Sequence, residues 1–186
     1  MEKTLTRRER EKIARKTEMV EVAERLFVKH GYEGTSMDDI AKEAEFTKRT
    51  LYQYFINKED LFYAVVLKFS KHLNALYENS FKGKKTALEK FEGSVMQYYQ
   101  FSKENPEIFR LMNYIPPTKP DSEITPNHKE LMKFHDESFK MFTEIIEEGK
   151  KDGSVSPNLD AKKAAHFAVV TTISYMNTMS RTSDSY

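Results

Sequence analysis

Cysteine is absent from this 186-residue sequence, and so is any run of 18 apolar residues. The first absence excludes disulfides, thiolate zinc sites and a cysteine nucleophile, and it is compatible with a reducing cytosol. The second argues against a transmembrane helix, and the charged N-terminus is unlike a signal peptide. We therefore expect a cytoplasmic protein that makes no use of a membrane.

Glycine and proline are scarce, at six residues each. Because alternating β-branched patterns are scarce too, this composition predicts an all-α fold. An excess of one charge is also lacking, since 30 basic and 29 acidic residues leave a net charge of +1, so net charge does not indicate a nucleic-acid partner. The distribution is uneven, however. Residues 1–16 hold seven basic and three acidic residues, whereas residues 59–186 hold 17 basic and 18 acidic ones.

Two short amphipathic helices joined by a tight turn are predicted within residues 35–58, TSMDDIAKEAEFTKRTLYQYFINK. The first follows Ser36, which together with Asp39 forms an acidic variant of the capping box. The second follows Thr47, a cap separated from the first helix by only two residues. Two helices with this spacing, the second rich in basic, hydroxyl and amide side chains, are typical of a helix-turn-helix.

The second of these helices carries side chains suited to reading a DNA duplex. Lys48 and Arg49 at its start can donate to guanine O6 and N7, and Gln53 can pair with adenine. Hydroxyl groups that suit phosphates are carried by Thr50, Tyr52 and Tyr54. Thr50 can also contact a thymine methyl group. A purely structural helical hairpin, which is the alternative, has no need for so many polar side chains in succession. The pattern therefore predicts DNA binding.

Residues 23–62 resemble the DNA-binding domain of the tetracycline-repressor (TetR) family. The matching positions are Leu26, Phe27, Gly31, Tyr32, Thr35, Ser36, Asp39, Ile40, Ala41, Thr50, Leu51, Tyr52, Tyr54, Phe55, Lys58, Glu59, Leu61 and Phe62. Two positions depart from the family: Glu45 replaces the usual glycine of the tight turn, and Arg49 replaces a small residue or proline, which suggests an additional base or phosphate contact. On this resemblance the predicted DNA-contacting residues are Thr35, Ser36, Thr47, Lys48, Arg49, Thr50, Tyr52, Gln53, Tyr54 and Lys58.

The resemblance implies a three-helix DNA-binding domain over residues 1–62, joined by a long helix to a helical ligand-binding and dimerisation domain over residues 63–186. Periodicity predicts this long fourth helix and four later ones: 58–81, about 86–104, 106–112, about 127–151 and 161 to about 179. Proline-rich residues 116–126 are predicted to form a loop. The family also implies one more helix after the eighth, for which residues 181–186 are too short. A trimmed chain and a differently built interface both stay open.

The second half is rich in methionine and aromatic side chains, which are usually ordinary core residues but also line adaptable apolar pockets. The resemblance implies an effector pocket between the fifth and eighth helices. The residues predicted to line it are Met96, Tyr99, Phe109, Met112, Phe134, Ser138, Phe142, Phe167, Thr171 and Tyr175. Hydroxyl and imidazole groups are available to orient a ligand, which favours a hydrophobic or amphipathic small molecule. The eighth helix carries few charges beyond its first turn, which predicts a homodimer interface.

Two further patterns each have two interpretations. The basic N-terminal arm is either a solvated, charge-paired helix start or an extension that contacts phosphates. His128 and His135 lie seven residues apart on one predicted helix, a spacing more typical of surface or core histidines than of a metal site. No catalytic triad, glycine-rich phosphate loop or pair of catalytic carboxylates stands out, so we predict neither an enzyme, nor a metal site, nor a cofactor.

The resulting interpretation is a homodimeric, ligand-responsive regulator of transcription of TetR type, with repression as its expected role. It is expected to bind a palindromic double-stranded operator and to be released when a small molecule favours a conformation with wrongly spaced recognition helices. The alternative is a helical ligand-binding or protein-interaction module that does not use DNA. Arg49 and the basic arm argue against this alternative, and Glu45 favours it.

Overall fold

The structure, a computed structural model, describes residues 5–117 and 123–182. Its helices are α1 (Arg7–His30), α2 (Met37–Glu43), α3 (Lys48–Tyr52), α4 (Lys58–Ser80), α5 (Ala87–Glu104), α6 (Pro106–Met112), α7 (Pro126–Asp152) and α8 (Ala161–Thr182). Regular structure in the described residues is α-helical throughout, which confirms the predicted fold class. Three segments named in the sequence analysis lie wholly or partly outside the described residues: residues 1–4 of the basic arm, residues 118–122 of the proline-rich loop and residues 183–186.

The helices begin where polar side chains satisfy their first backbone N–H groups. Thr6, Ser36 and Thr86 each accept a hydrogen bond in a reciprocal capping box at the starts of α1, α2 and α5. Such caps stabilise a helix by roughly 0.5–2 kcal/mol each. Asn105, just before α6, makes no side-chain cap bond, and its side-chain amide donates instead to the Phe101 carbonyl oxygen at 3.4 Å.

The chain divides into two compact units. The first comprises Met1–Leu67 and Ile115–Leu131, and the second comprises Lys68–Tyr114 and Met132–Tyr186. Nothing in the sequence indicated that the segment after α6 would group with the N-terminal helices. The domain boundary at residue 62 stays a prediction.

The first unit is built on an aromatic cluster that joins α1 to α4. The ring centroids of Phe27 and Phe62 are 5.5 Å apart, and Tyr32 lies 5.1 Å from Phe62. Leu51 of α3 and Phe55 just beyond it are fully buried. Because full burial of an apolar side chain of this size stabilises a fold by about 1.5–3 kcal/mol, this core fixes the short helix α3 firmly.

The described residues of the second unit include two apolar clusters. The first consists of Leu73, Tyr98, Phe101 and Phe109, with six partly buried neighbours. The second consists of Ala87, Phe142, Ile145 and Ala165, again with partly buried neighbours. Tyr77 packs against both clusters. Burial raises the pKa of the Tyr98 phenol to about 12 and that of Tyr77 still further.

Candidate nucleic-acid interface

The turn between α2 and α3 keeps helix-turn-helix geometry although it contains no glycine. Glu45 has φ 55°, the left-handed conformation that glycine adopts without strain. Two backbone bonds close the turn, from Glu45 N–H to the Lys42 carbonyl oxygen at 3.2 Å and from Phe46 N–H to the Ala41 carbonyl oxygen at 2.9 Å. A non-glycine residue in this conformation costs roughly 1–2 kcal/mol, so the surrounding core holds Glu45 there.

Helix α3 is amphipathic, with one face in the core and the other in solvent. Leu51 is fully buried, while Lys48, Arg49 and Gln53 are exposed and Tyr52 is 43% exposed. Two other predicted contact residues are half-buried: Thr50 and Tyr54. The structure therefore brings the predicted base-reading side chains together on one accessible face.

The two basic residues at the start of α3 differ in their surroundings. Lys48 Nζ lies 2.9 Å from the Asp38 carboxylate on α2, which raises the pKa of Lys48. Exposed ion pairs of this kind contribute little to stability, so a phosphate or base can compete for the ammonium group. Arg49 has no ion-pair partner among the described residues, and its guanidinium is the more available donor.

Four other predicted contact residues hold the motif together. Thr35 is 2% exposed, and its hydroxyl donates to the carbonyl oxygens of Leu26 and Gly31. Lys58 Nζ donates to the Tyr32 carbonyl oxygen at 2.9 Å and lies 4.1 Å from the centre of the Tyr32 ring. The remaining two are the exposed N-caps of α2 and α3: Ser36 and Thr47. A hydroxyl buried like that of Thr35 is not presented to solvent, whereas the two caps are.

Sequence reasoning missed a buried polar junction beneath the motif. Asp60 is 2% exposed and accepts hydrogen bonds from the backbone and side-chain amides of Asn127, both at 2.9 Å. The same carboxylate accepts from the Ile56 N–H at 3.3 Å. Beside it, the rings of Tyr63 and His128 stack with centroids 3.9 Å apart. In the sequence, Asp60 looks like an ordinary acidic residue in the first turn of a helix. No sequence signal links it to a residue 67 positions away.

The residues predicted to line an effector pocket differ in burial and in the apolar cluster to which they belong. Phe109 belongs to the first cluster of the second unit, with Met112 packed against it, and Phe142 belongs to the second cluster. Phe134 and Ser138 are half-buried. The other five are exposed: Met96, Tyr99, Phe167, Thr171 and Tyr175. Phe167 at 73% and Tyr175 at 60% exposure both lie on α8.

The two histidines considered for a metal site have different neighbours. His128 stacks on Tyr63, and His135 Nε2 lies 3.4 Å from the Ser70 hydroxyl. In the part of the chain that the structure describes, no three histidine, aspartate or glutamate side chains are grouped so as to hold a metal ion. None of the described helices combines the length and the apolar character needed to cross a bilayer.

Comparison with known proteins decides between the two interpretations of the motif. A family profile described as bacterial regulatory proteins of the tetR family matches residues 19–65, which include all of α2 and α3. The HTH-type transcriptional repressor KstR2 of Mycolicibacterium smegmatis is 27% identical over 159 residues, covering 86% of this chain and 76% of the relative. Residues 19–65 therefore resemble the helix-turn-helix region of tetR-family regulators. The chain is a DNA-binding regulator of transcription.

Two further comparisons extend beyond the motif. The HTH-type transcriptional repressor ComR of Escherichia coli is 27% identical over 164 residues, covering 86% of this chain and 77% of the relative. The crystal structure of FadR from Bacillus subtilis in complex with stearoyl-CoA has a TM-score of 0.76. That superposition covers 91% of this chain and 89% of the FadR chain at 19% sequence identity. The chain therefore shares the fold of FadR over most of its length.

Proposed function

We propose that this TetR-family regulator is a homodimeric repressor that reads a palindromic operator with the exposed face of α3. The observation that carries the proposal is the accessible row formed by Lys48, Arg49 and Tyr52 of α3 and by its C-cap Gln53, while the opposite face of the helix is locked in the core. Side chains held this way can enter a major groove without first being ordered. Such a regulator acts in the cytoplasm and has no catalytic role.

Within this interface the residues have different roles. Arg49 and Lys48 donate to guanine, with Lys48 exchanging its Asp38 partner for the base, and Gln53 pairs with adenine. Ser36 and Thr47, together with the tyrosines of α3 and its C-terminal flank, contact phosphates and fix the register. Thr35 and Lys58 act indirectly, because their polar groups already bind carbonyl oxygens within the unit.

Selection from a random duplex pool tests the DNA-binding part of the proposal. We expect the purified protein to enrich a two-fold symmetric sequence whose half-sites lie about one helical turn apart or a small multiple of it. Enrichment of an asymmetric single site would contradict the palindromic, dimeric mode. Failure to retain any duplex at low salt would favour the alternative of a helical module that does not use DNA.

The effector is proposed to be a hydrophobic or amphipathic small molecule bound by the second unit. Among the described residues, Tyr77 packs against both of its apolar clusters, and separate clusters with large, soft neighbours can open more easily than one continuous core. Asn74 Oδ1, next to Leu73 on α4, is buried without a hydrogen-bond partner among the described atoms. A ligand hydroxyl or amide could satisfy it, which would favour binding. FadR with its bound stearoyl-CoA supports the ligand class.

A combined thermal-shift and DNA-release experiment tests the effector proposal. Stearoyl-CoA, free stearate and a steroid serve as first probes, with free coenzyme A as the polar control. A true effector should raise the melting temperature of the free protein and weaken operator binding together, because it stabilises a conformation that does not bind DNA. If no apolar probe does both, the clusters are ordinary core and the sensor proposal fails.

The dimer interface is proposed to lie mainly on α8. This helix exposes five large apolar side chains at 37–73% of their surface: Phe167, Val170, Ile173, Tyr175 and Met179. A face of this kind is costly to leave in water, and a self-complementary contact would cover it. We therefore assign Phe167 and Tyr175 to the interface instead of the pocket. Phe167→Glu with Tyr175→Glu should yield monomers by light scattering, whereas a dimer in this variant would place the interface elsewhere.

A further inference from the structure

The first half of α1 extends beyond the core of its unit. Every residue from 5 to 18 is exposed, and the first buried residue of the helix is Met19. The twelve helical residues 7–18 make a rod about 18 Å long, comparable with about five base pairs of duplex. They include six basic and three acidic residues. An exposed helix of this length is marginal by itself, so the rod is suited to gain from a partner.

Three basic residues of the rod that make no ion pair with a described residue lie on one face. Arg8, Lys12 and Arg15 are spaced by four and three residues, so they share a side of the helix. The same spacing continues along α1 with Met19, Val22 and Leu26, which turn toward the core. The stripe that is apolar inside the unit therefore becomes cationic where the helix leaves it. We name Arg8, Lys12 and Arg15 the cationic stripe.

Other residues stabilise the start of the rod and leave the stripe unused. The capping box pairs Thr6 with Glu9, and Arg7 binds Glu11 at 2.8 Å. Arg10 donates to the Leu5 carbonyl oxygen at 2.6 Å. Among the described residues, no member of the cationic stripe makes an ion pair or a side-chain hydrogen bond. Two of the three acidic residues of the rod, Glu9 and Glu11, are thus already engaged with Thr6 and Arg7.

The position of the stripe within the unit relates it to the recognition helix. Lys16, one residue past the stripe, lies 5.6 Å from the ring centre of Phe55, three residues after the end of α3. We propose that the cationic stripe is a second, rigid DNA-contacting element that binds backbone phosphates outside the base pairs read by α3. A row of three cations on a fixed rod complements a regularly charged duplex backbone. This inference rests on the proposed DNA-binding function.

A length comparison tests the stripe. Two duplexes are used, both carrying the sequence that the wild-type protein selects: one ends at the half-sites and the other adds ten base pairs on each side. Changing Arg8, Lys12 and Arg15 together to glutamine should weaken binding to the long duplex by roughly tenfold to a hundredfold at moderate salt. The slope of log affinity against log salt should fall by about 2.7 per protomer. Binding to the short duplex should stay nearly unchanged.

Two controls separate the stripe from simpler explanations. Changing Lys82, Lys84 and Lys85 of the second unit to glutamine removes the same charge and should leave both affinities unchanged. Ile13→Gly with Ala14→Gly keeps every charge but weakens the rod, because each glycine costs roughly 1 kcal/mol of helix stability. This variant should lose most of the affinity that the flanking base pairs add. If it keeps all of that added affinity, the arm is flexible and the proposal of a rigid element is contradicted.

The remaining outcomes are also decisive. If the stripe variant binds both duplexes as tightly as the wild type, or loses the same factor of affinity on both, the stripe does not reach flanking phosphates and the inference fails. Such a result leaves the proposed function intact, because the wild-type protein still selects and binds its operator. If the wild-type protein binds neither duplex, the proposed function itself fails. Circular dichroism at 222 nm on each variant confirms that the rest of the chain is folded.

Discussion

Each of the two compact units of this regulator is stabilised internally by a different set of interactions. In the first unit, an aromatic core is supplemented by single polar groups that fix short elements, as Thr35, Asp60 and the N-cap Ser36 show. In the second unit, two apolar clusters pack through large and soft neighbours, and one long helix leaves its apolar side chains exposed. The contrast indicates that reading DNA needs precisely oriented donors, whereas sensing a ligand needs a core that can repack.

Removing a buried ring from the second unit should have the largest effect. Phe142 is 8% exposed within its cluster, and Phe142→Ala should lower the free energy of unfolding by about 3–5 kcal/mol, because transfer and cavity costs add. Leu88→Ala, at a site 50% exposed on α5, is the control and should change stability by less than about 1 kcal/mol. Urea unfolding at fixed protein concentration measures both. Equal losses of stability in the two variants would mean that the buried clusters do not stabilise this unit more than exposed side chains do.

A single polar group should matter nearly as much in the first unit. Asp60→Ala removes the acceptor of three N–H groups from Ile56 and Asn127 and should cost about 2–3 kcal/mol, since buried donors are left unsatisfied. Asp60→Asn keeps one acceptor oxygen and should cost less. Hydrogen exchange should show faster uptake over residues 123–131 in the alanine variant. Unchanged exchange there would show that Asp60 does not hold this segment.

The sequence was informative where local chemistry decides the structure. The caps Ser36 and Thr47 and the amphipathic α3 were predictable because their signals lie within a few residues of one another. The Asp60–Asn127 junction was not, because two residues 67 positions apart in the chain show no shared pattern. The exposure of Phe167 was not predictable either, since an apolar helical face looks the same whether a core, a ligand or a second subunit covers it.

Base-reading side chains should separate from phosphate-contacting ones. Arg49→Ala or Lys48→Ala should reduce discrimination between the operator and a mismatched site by about 1–3 kcal/mol, the value of a bidentate base contact. Tyr52→Phe, which loses only a hydroxyl, should instead weaken all duplexes by a similar and smaller factor. Fluorescence anisotropy with matched and mismatched duplexes gives both quantities. An unchanged specificity ratio in both basic variants would contradict the proposed base-reading face.

The smallest expected change is a gain in stability at the helix-turn-helix turn. Glu45→Gly should stabilise the protein by about 0.5–1 kcal/mol, because relief of the left-handed strain exceeds the extra entropy of glycine in the unfolded chain. The matched change Glu43→Gly, at a helical position of α2, should instead destabilise it by about 1 kcal/mol. Thermal unfolding of the two variants side by side tests this. The two variants are expected to change stability in opposite directions. A loss of stability in both would mean that Glu45 is not strained.

The central claim is that the exposed face of α3 reads a specific DNA sequence. The most direct test is the ratio of affinities of the wild-type protein for its selected duplex and for a duplex with both half-sites scrambled. At physiological salt we expect this ratio to be on the order of a thousand or more, with both affinities falling linearly as log salt rises. A ratio near one at every salt concentration would contradict sequence-specific recognition by this helix.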